Sequence, residues 1–387
     1  MFHNIRIKNN FYSNLFEKEK ISNVFERLSI KDGNTCIYKS AVKSKPKPNV
    51  NAQTLVPDYL EFELIEPLKA KKVFQKKGYA INTASISDIE TYLKETSGTN
   101  FKKNVVRSLK RLEHCFNITY KMFYGEIDQD EYAFLMDNLV AMIRKRFQER
   151  KGRNRVIENW DYYKKISFNL INKKKASLFV IYSGENPIEI SLNFHAGSVM
   201  YSAISSYSLD YHKFSMGNID IYKQLEWCLE NKITLFDMGY GDFDYKMKWS
   251  NWAYDFNTLV ISNKNNLVAK VYAYYLRNKY NLINYLISKN VSDMVRGFIS
   301  KLKSNNPVGT DGYENYTMDE IQQFSNNKAN KVESLNGAYS FLQKPLNEFL
   351  YAHSEHIDNV KIYKLNSENK TFVFESPKNS NKLVFQN

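Results

Sequence analysis

Three cysteines in 387 residues, Cys36, Cys115 and Cys228, stand too far apart for a disulfide framework or for the paired spacing of a metal site. A reduced, cytoplasmic compartment is the expectation. No apolar run is long enough to span a bilayer. The segment Met1-Phe2-His3-Asn4-Ile5-Arg6 lacks the basic stretch and apolar core of a secretory signal. A Gly-x-Ser-x-Gly elbow and a Walker phosphate loop are missing, as is any internal repeat. His353-Ser354-Glu355-His356 has helical spacing but no third ligand cluster nearby, so no metal is expected. Acidic residues are also in deficit: 55 Lys and Arg against 41 Asp and Glu leave a net charge of +14. That excess is compatible with a merely basic surface, an anionic small ligand, a membrane surface or nucleic acid, and does not choose among them.

What is present is globular. A hydrophobic fraction of 43% with 15% aromatics excludes global disorder, and the length allows two or three packed domains. The first hundred residues read as mixed, with strands at 34–41 and 59–65 around the proline-punctuated connection Lys45–Asn51. Residues 85–96 read as a helix, with Ser87 as N-cap and Glu90 three positions on. A basic helix follows over 100–115, carrying Lys102, Lys103, Arg107, Lys110 and Arg111. No aromatics interleave with these cations, which argues for a solvated face over a nucleic-acid stripe, and no DNA partner is expected. The next helix, 130–150, buries Phe134, Leu135, Leu139, Met142 and Ile143 and ends in the cationic run Arg144–Gly152. The helical pattern resumes over 162–172.

The texture then changes. Strands at 176–182 and 188–195 are joined by the hairpin signal Ser183–Pro187, and a third runs over 199–206. A loop at 210–216 opens a helix at Gly217. A strand ends at Asp237, a short helix covers 244–249, and a last strand covers 255–262. Residues 266–303 read as two basic amphipathic helices. Their apolar positions, Val268, Val271, Tyr272, Tyr275 and Leu276 first, are expected to pack on the core, with peripheral membrane contact as the minority alternative. A linker lies at 305–316, then a helix at 338–352 and strands at 360–365 and 371–375. The domain division is 1–99, 100–262, 263–304 and a C-terminal extension, 305–387, of unknown role.

The most informative stretch is Phe236-Asp237-Met238-Gly239-Tyr240-Gly241-Asp242-Phe243-Asp244-Tyr245-Lys246, an apolar strand opening into acids, glycines and a Tyr-Lys pair. With it stand Arg144-Lys145-Arg146-Phe147, the meander containing Pro187-Ile188, and Ser215-Met216-Gly217 opening a helix. In these residues the run 100–262 resembles the GNAT acyltransferase superfamily, in its branch beside cellulose-biosynthesis proteins, related to the Fem aminoacyltransferases. The resemblance implies an α+β fold: a mixed, mostly antiparallel sheet flanked by helices, with an N-terminal α/β subdomain. One departure stands out. The superfamily's pyrophosphate loop, Arg/Gln-x-x-Gly-x-Gly/Ala, has its counterpart in His212-Lys213-Phe214-Ser215-Met216-Gly217-Asn218, with a single glycine.

The resemblance further implies acyl-CoA as co-substrate and the amine of a nucleotide-linked amino sugar as acceptor. Transfer would be direct, in the service of surface polysaccharide. Lys213, Ser215, Met216, Gly217 and Asn218 are then expected at the pyrophosphate, where a helix N-terminus offers free N–H groups; the alternative for Gly217 is relief of crowding at a tight turn. Ser205, Ser206 and Tyr207 are expected beside the thioester carbonyl. The candidate bases are His195 and Asp237, and each has a structural alternative, a hydrogen-bonded histidine near a turn and a capping or turn-forming aspartate. Tyr245 is the candidate acid toward the thiolate. Arg146, Asn193, Asp242 and Lys246 are candidates for holding the acceptor. Two further readings remain open. One is a Fem-like transferase using aminoacyl-tRNA, and the other a non-catalytic basic protein docking at membranes through 266–303.

Overall fold

The computed structural model describes residues 7–31, 35–40, 50–148, 155–241, 243–288, 315–322, 324, 329–366, 368 and 370–385. Asp242, most of the Lys45–Asn51 connection, the Arg150–Gly152 end of the cationic run, the second basic helix and most of the 305–316 linker lie outside them.

The chain begins with β1 (Ile7–Asn10), α1 (Phe11–Phe16), β2 (Phe25–Ile30), β3 (Cys36–Lys39), β4 (Val50–Pro57), β5 (Leu60–Leu64) and β6 (Leu68–Asn82). Helices α2 (Ile89–Ser97) and α3 (Thr99–Cys115) lead to β7 (Ile118–Phe123), then α4 (Gln129–Gln148), α5 (Arg155–Glu158) and α6 (Trp160–Asn172). A meander of β8 (Ala176–Ser183), β9 (Asn186–Ala196) and β10 (Val199–Tyr207) precedes a 3-10 turn, Leu209–Phe214, and α7 (Met216–Glu230). Next come β11 (Leu235–Tyr240), α8 (Asp244–Trp249), β12 (Trp252–Asn263) and α9 (Leu267–Ser288). The tail holds β13 (Tyr316–Glu320), β14 (Ala329–Lys331), α10 (Gln343–His353), β15 (Lys361–Leu365), β16 (Thr371–Glu375) and β17 (Ser380–Phe385).

Nine strands form one sheet in the order β1-β4-β12-β6-β11-β10-β9-β8-β7. Only β1–β4 and β10–β11 pair in parallel; the remaining neighbours are antiparallel. This is a mixed, mostly antiparallel sheet flanked by helices, the GNAT-like fold. One face packs α1, α4 and α6 through Leu135, Leu139, Ile190, Leu192 and Phe194. The other packs α2, α3 and α7 through Leu93, Leu112, Ile219 and Leu225. Each such large apolar side chain withdrawn from water contributes about 1.5–3 kcal/mol.

Several expectations are corrected. Residue 99 does not divide the sheet: β6 pairs with both β11 and β12, and β4 pairs with β12. The strand β6 escaped the sequence reading because Lys69, Lys71, Lys72, Lys76 and Lys77 make it look solvated. The cap of α2 is Asp88, whose carboxylate accepts from Thr91 N at 2.8 Å, one residue past Ser87. On α4, Phe134 points outward and Tyr132 and Met136 take its place in the core. The loop before α7 is a 3-10 turn. The tail forms a second, five-stranded sheet, and α10 braces that turn: Asn347 Nδ2 donates to the Asp210 carbonyl at 3.0 Å, and Glu348 lies 3.4 Å from His212.

The N-terminal strands are locked to the rest by one carboxylate. Asp237, on β11, is fully buried. Its Oδ2 accepts from the hydroxyls of Tyr12 on α1 (2.5 Å) and Tyr59 between β4 and β5 (2.8 Å). Its Oδ1 accepts from Tyr254 on β12 (2.6 Å) and from the Gly239 N–H (2.7 Å). Gly78 on β6 lets the Tyr254 ring lie against the strand, since a Cβ there would meet that ring at 2.4 Å. Truncating the carboxylate strands three buried hydroxyls, each costing about 1–3 kcal/mol. Asp237→Ala is therefore expected to lose on the order of 3–5 kcal/mol or fail to fold. Chemical denaturation beside the parent protein checks this; a loss under about 1 kcal/mol would contradict the assignment.

Candidate active site

Strands β10 and β11 are parallel for three residue pairs only, Val199–Leu235, Met200–Phe236 and Tyr201–Asp237. Beyond Tyr201 they separate. At Gly239, φ is +69° and a Cβ would approach the Tyr201 ring to 3.2 Å, so the turn away from β10 requires glycine. On β10, the register against β9 shifts between Ser202 and Ile204. A cavity of about 560 Å³ opens in the gap. Its walls come from β10 (Ser202, Ser205, Tyr207), the start of α7 (Ser215, Gly217, Asn218, Asp220), the end of β11 (Gly239, Tyr240) and α8 (Tyr245, Lys246), with Arg146 reaching in from α4.

The helix start is unusual. Ser215 holds a left-handed φ of +56° between the 3-10 turn and α7. Its carbonyl accepts from Asn218 N at 2.8 Å, so the helix is closed from its first turn. Around the position of a Gly217 Cβ there is nothing within 4 Å. Relief of crowding therefore does not explain this glycine; a side chain there projects into the cavity. Asn218 Oδ1 accepts from Trp249 Nε1 at 3.0 Å and so ties α7 to α8.

Sequence reasoning missed the carboxylates. Asp220 lines the cavity and Glu189 lies buried behind it on β9. Ser191 Oγ lies 2.9 Å from Glu189 Oε1 and 3.0 Å from Asp220 Oδ1, and Ser205 Oγ lies 3.2 and 3.4 Å from the same two groups. Gln224 Nε2 donates to Asp220 Oδ1 at 2.6 Å. Burial pushes the Asp220 carboxyl up to about 6. Burial and the neighbouring Asp220 charge push Glu189 well above the carboxylate range. Two like charges in so dry a place cannot both ionise, so the pair keeps a proton near neutrality. The signal was in the sequence: Glu189, Ser191, Asn193 and His195 alternate along β9, a polar face that reads as solvated but is buried against Asp220 and Gln224 on α7.

Of the expected site residues, Arg146, Ser205, Tyr207, Ser215, Gly217, Asn218, Tyr245 and Lys246 meet at the cavity. The Arg146 guanidinium stands over the Tyr207 ring at 5.1 Å. Burial and the Asp220 charge raise the Tyr245 hydroxyl above its ordinary value, against a smaller opposing pull from Arg146. Lys246 Nζ donates to the carbonyls of Met238 (2.7 Å) and Tyr240 (2.9 Å), which occupies it in holding the end of β11. Met216 and Ser206 are buried in the core away from the cavity, and Lys213 is exposed outside it.

Three expectations fail on position. Asp237 is sealed beneath the cavity by four donors and reaches no incoming amine. His195 is away from the cavity, buried between the Tyr124 and Trp227 rings, with Nε2 2.9 Å from Ser177 Oγ. Burial first, then the Lys175 charge, depress it to about 3, so it stays neutral. Asn193 lies in the same seam and donates to Gln224 Oε1 at 2.7 Å. Asp242 is outside the described residues. No group of His, Cys, Asp and Glu fit to hold a metal occurs among the described residues.

The parallel pair thus parts over a cavity that faces a helix start. Residues 99–247 match the model of an acetyltransferase (GNAT) domain. The matched stretch runs from α3 into α8 and contains every residue of the cavity wall. No curated protein matches the chain. Among solved structures, FemX is 12% identical, covering 55% of this chain and 72% of that one, with a TM-score of 0.39. L-PGS from Bacillus licheniformis is 12% identical (62% and 73%; TM-score 0.36). A conserved protein of unknown function from Bacteroides thetaiotaomicron is 10% identical (55% and 70%; TM-score 0.38). Likenesses this distant carry no argument about substrate.

Gly217→Val fills the cavity beside the start of α7 without touching the core. Its folding stability is expected to stay within about 1 kcal/mol of the parent, while any anionic ligand that raises the melting temperature of the parent loses that effect. Calorimetric melting of both proteins with and without ligand checks this.

Proposed function

We propose that the GNAT domain transfers an acyl group from an activated carrier to an amine, by direct attack and without an acyl-enzyme. The observation that supports this most is the cavity where β10 and β11 part, walled at once by the freed edge of β10, the first turn of α7 and Asp220. The amine nitrogen attacks the carbonyl carbon, and the carbonyl π pair moves onto oxygen, where N–H groups of the freed β10 edge stabilise it. The nitrogen's proton passes to the Asp220 carboxylate, which replaces both His195 and Asp237 as base. Collapse then breaks the bond to the carrier, and the Tyr245 hydroxyl gives its proton to the leaving oxygen or sulfur. Asp220 returns the proton to Tyr245. Burial holds Asp220's ionisation near pH 6, against the opposing pull of its hydrogen bonds with Ser191, Gln224 and Glu189.

For the carrier, one observation favours aminoacyl-tRNA. The outer face of α3 presents Lys103, Arg107 and Lys110 around a surface hollow that Arg111 and His114 also line, a cationic surface suited to a nucleic-acid backbone. The single glycine of the loop at 212–218 points the same way. Acyl-CoA, with a nucleotide-linked amino sugar as acceptor, is the second reading. It has the clear space beside Gly217 in its favour, where a pyrophosphate would lie against the start of α7 and the positive end of its dipole.

Purified protein supplied with aminoacyl-tRNA and a panel of amines is expected to release free tRNA in an amine-dependent, RNase-sensitive reaction. If acyl-CoA alone supports transfer, the second reading replaces the first; no transfer from either carrier sinks both. Asp220→Asn is expected to lower kcat about 100-fold or more. In the parent, turnover climbs as pH rises through about 6, because Asp220, with Glu189 buried behind it and Tyr245, Arg146 and Lys246 lining the same cavity, must lose its proton. The variant loses that limb. Near-parental turnover in Asp220→Asn with the limb intact would remove Asp220 from the mechanism.

A further inference from the structure

Helix α9 has two apolar faces. Ala269, Ala273 and Leu276 pack on Val50 and Val260 at the edge of the sheet. The sequence reading put Val268, Val271 and Tyr275 on that packed side; they lie opposite. At about 100° per residue, Leu267, Val268, Val271, Tyr275, Leu282 and Tyr285 fall within an arc of about 100° that faces solvent. Leu267 is 74% exposed, Val271 63% and Leu282 58%, values that a packed helix does not leave on its surface. The flanks are cationic. Lys270 and Arg277 border the stripe on one side and Lys279 on the other, and Thr258 to Ser288 contains no acidic residue. The neighbouring strand β6 adds exposed Lys69 and Lys71, whose partners Ser262 and Val260 share the face that α9 covers.

We propose that α9 is an interfacial anchor that lays this stripe into an anionic membrane surface. Aliphatic side chains enter the acyl boundary, tyrosines sit at headgroup depth, and flanking cations meet lipid phosphates. Charge complementarity decides the occupant. A second copy of this chain would bring a like-charged cationic border against this one, whereas an anionic leaflet attracts it by about 1 kcal/mol for each cation near the surface. None of the described helices is long and apolar enough to cross a membrane, so α9 lies on the surface and does not span. The anchor stands close to the cavity along β6: the Asn284 side chain donates to the Phe74 carbonyl, and Gly78, four residues on, pairs with Tyr240 in the cavity wall. The proposal is independent of which carrier the GNAT domain uses.

Co-sedimentation of the full chain with vesicles tests it. Binding is expected to vesicles of phosphatidylcholine mixed with phosphatidylglycerol, weakening with salt, and not to phosphatidylcholine alone. Val268→Asp/Val271→Asp/Tyr275→Asp is expected to abolish binding with an unchanged melting temperature. Should that variant fold poorly, Lys270→Glu/Lys279→Glu is expected to weaken binding by more than about tenfold while leaving the stripe intact. Absence of binding to the anionic vesicles, or equal binding by the variants, overturns the proposal. So does a stable dimer in light scattering that the triple variant dissociates, which would give the stripe to a second copy.

Discussion

Everything the cavity needs depends on one buried carboxylate accepting four hydrogen bonds. Asp237 draws Tyr12, Tyr59 and Tyr254 to a single point, and those residues come from the N-terminal helix, the turn after β4 and the last strand of the large sheet. Its fourth bond, from Gly239, fixes the place where β11 turns away from β10. The same interaction therefore closes the fold and opens the gap. Burial pushes this carboxyl above its ordinary range, and the four donors pull against that shift and satisfy its oxygens.

Above that anchor runs a polar seam between β9 and α7. It starts at Ser205 and Asp220 in the cavity wall, continues through Glu189, Ser191, Gln224 and Asn193, and ends at Ser177 and His195. Buried polar groups are usually arranged to be neutral and satisfied. Here the cavity end holds two carboxyls with one proton between them while the far end holds a neutral imidazole. Titratable chemistry is thus concentrated at the cavity end.

The meander, α7 and α8 were legible because their apolar periods and turn residues are local. Residues 244–249 form a helix as read, and Gly217 stands at a helix start. What was illegible depended on distant partners. Nothing near Asp237 announces three tyrosines from elsewhere in the chain, so an acid at a strand exit looked chemical when it is architectural. His195 misled for the same reason: a histidine ending a strand looks available until Trp227 and Tyr124 close over it. Lysine-rich β6 looked like solvent-facing chain because its lysines reach water while its backbone is paired on both sides.

The strand order has a consequence for how the chain is made. Strand β6 has β12 and β11 for neighbours, and β4 has β1 and β12. Residues 68–82 thus leave the ribosome with both edges unpaired and wait for residues 235–263 before either is covered. At roughly 5–20 residues per second, that interval lasts on the order of ten seconds or more. During it, the five lysines of β6 put like charge along an open strand edge, the kind of charge that keeps exposed edges from pairing with one another.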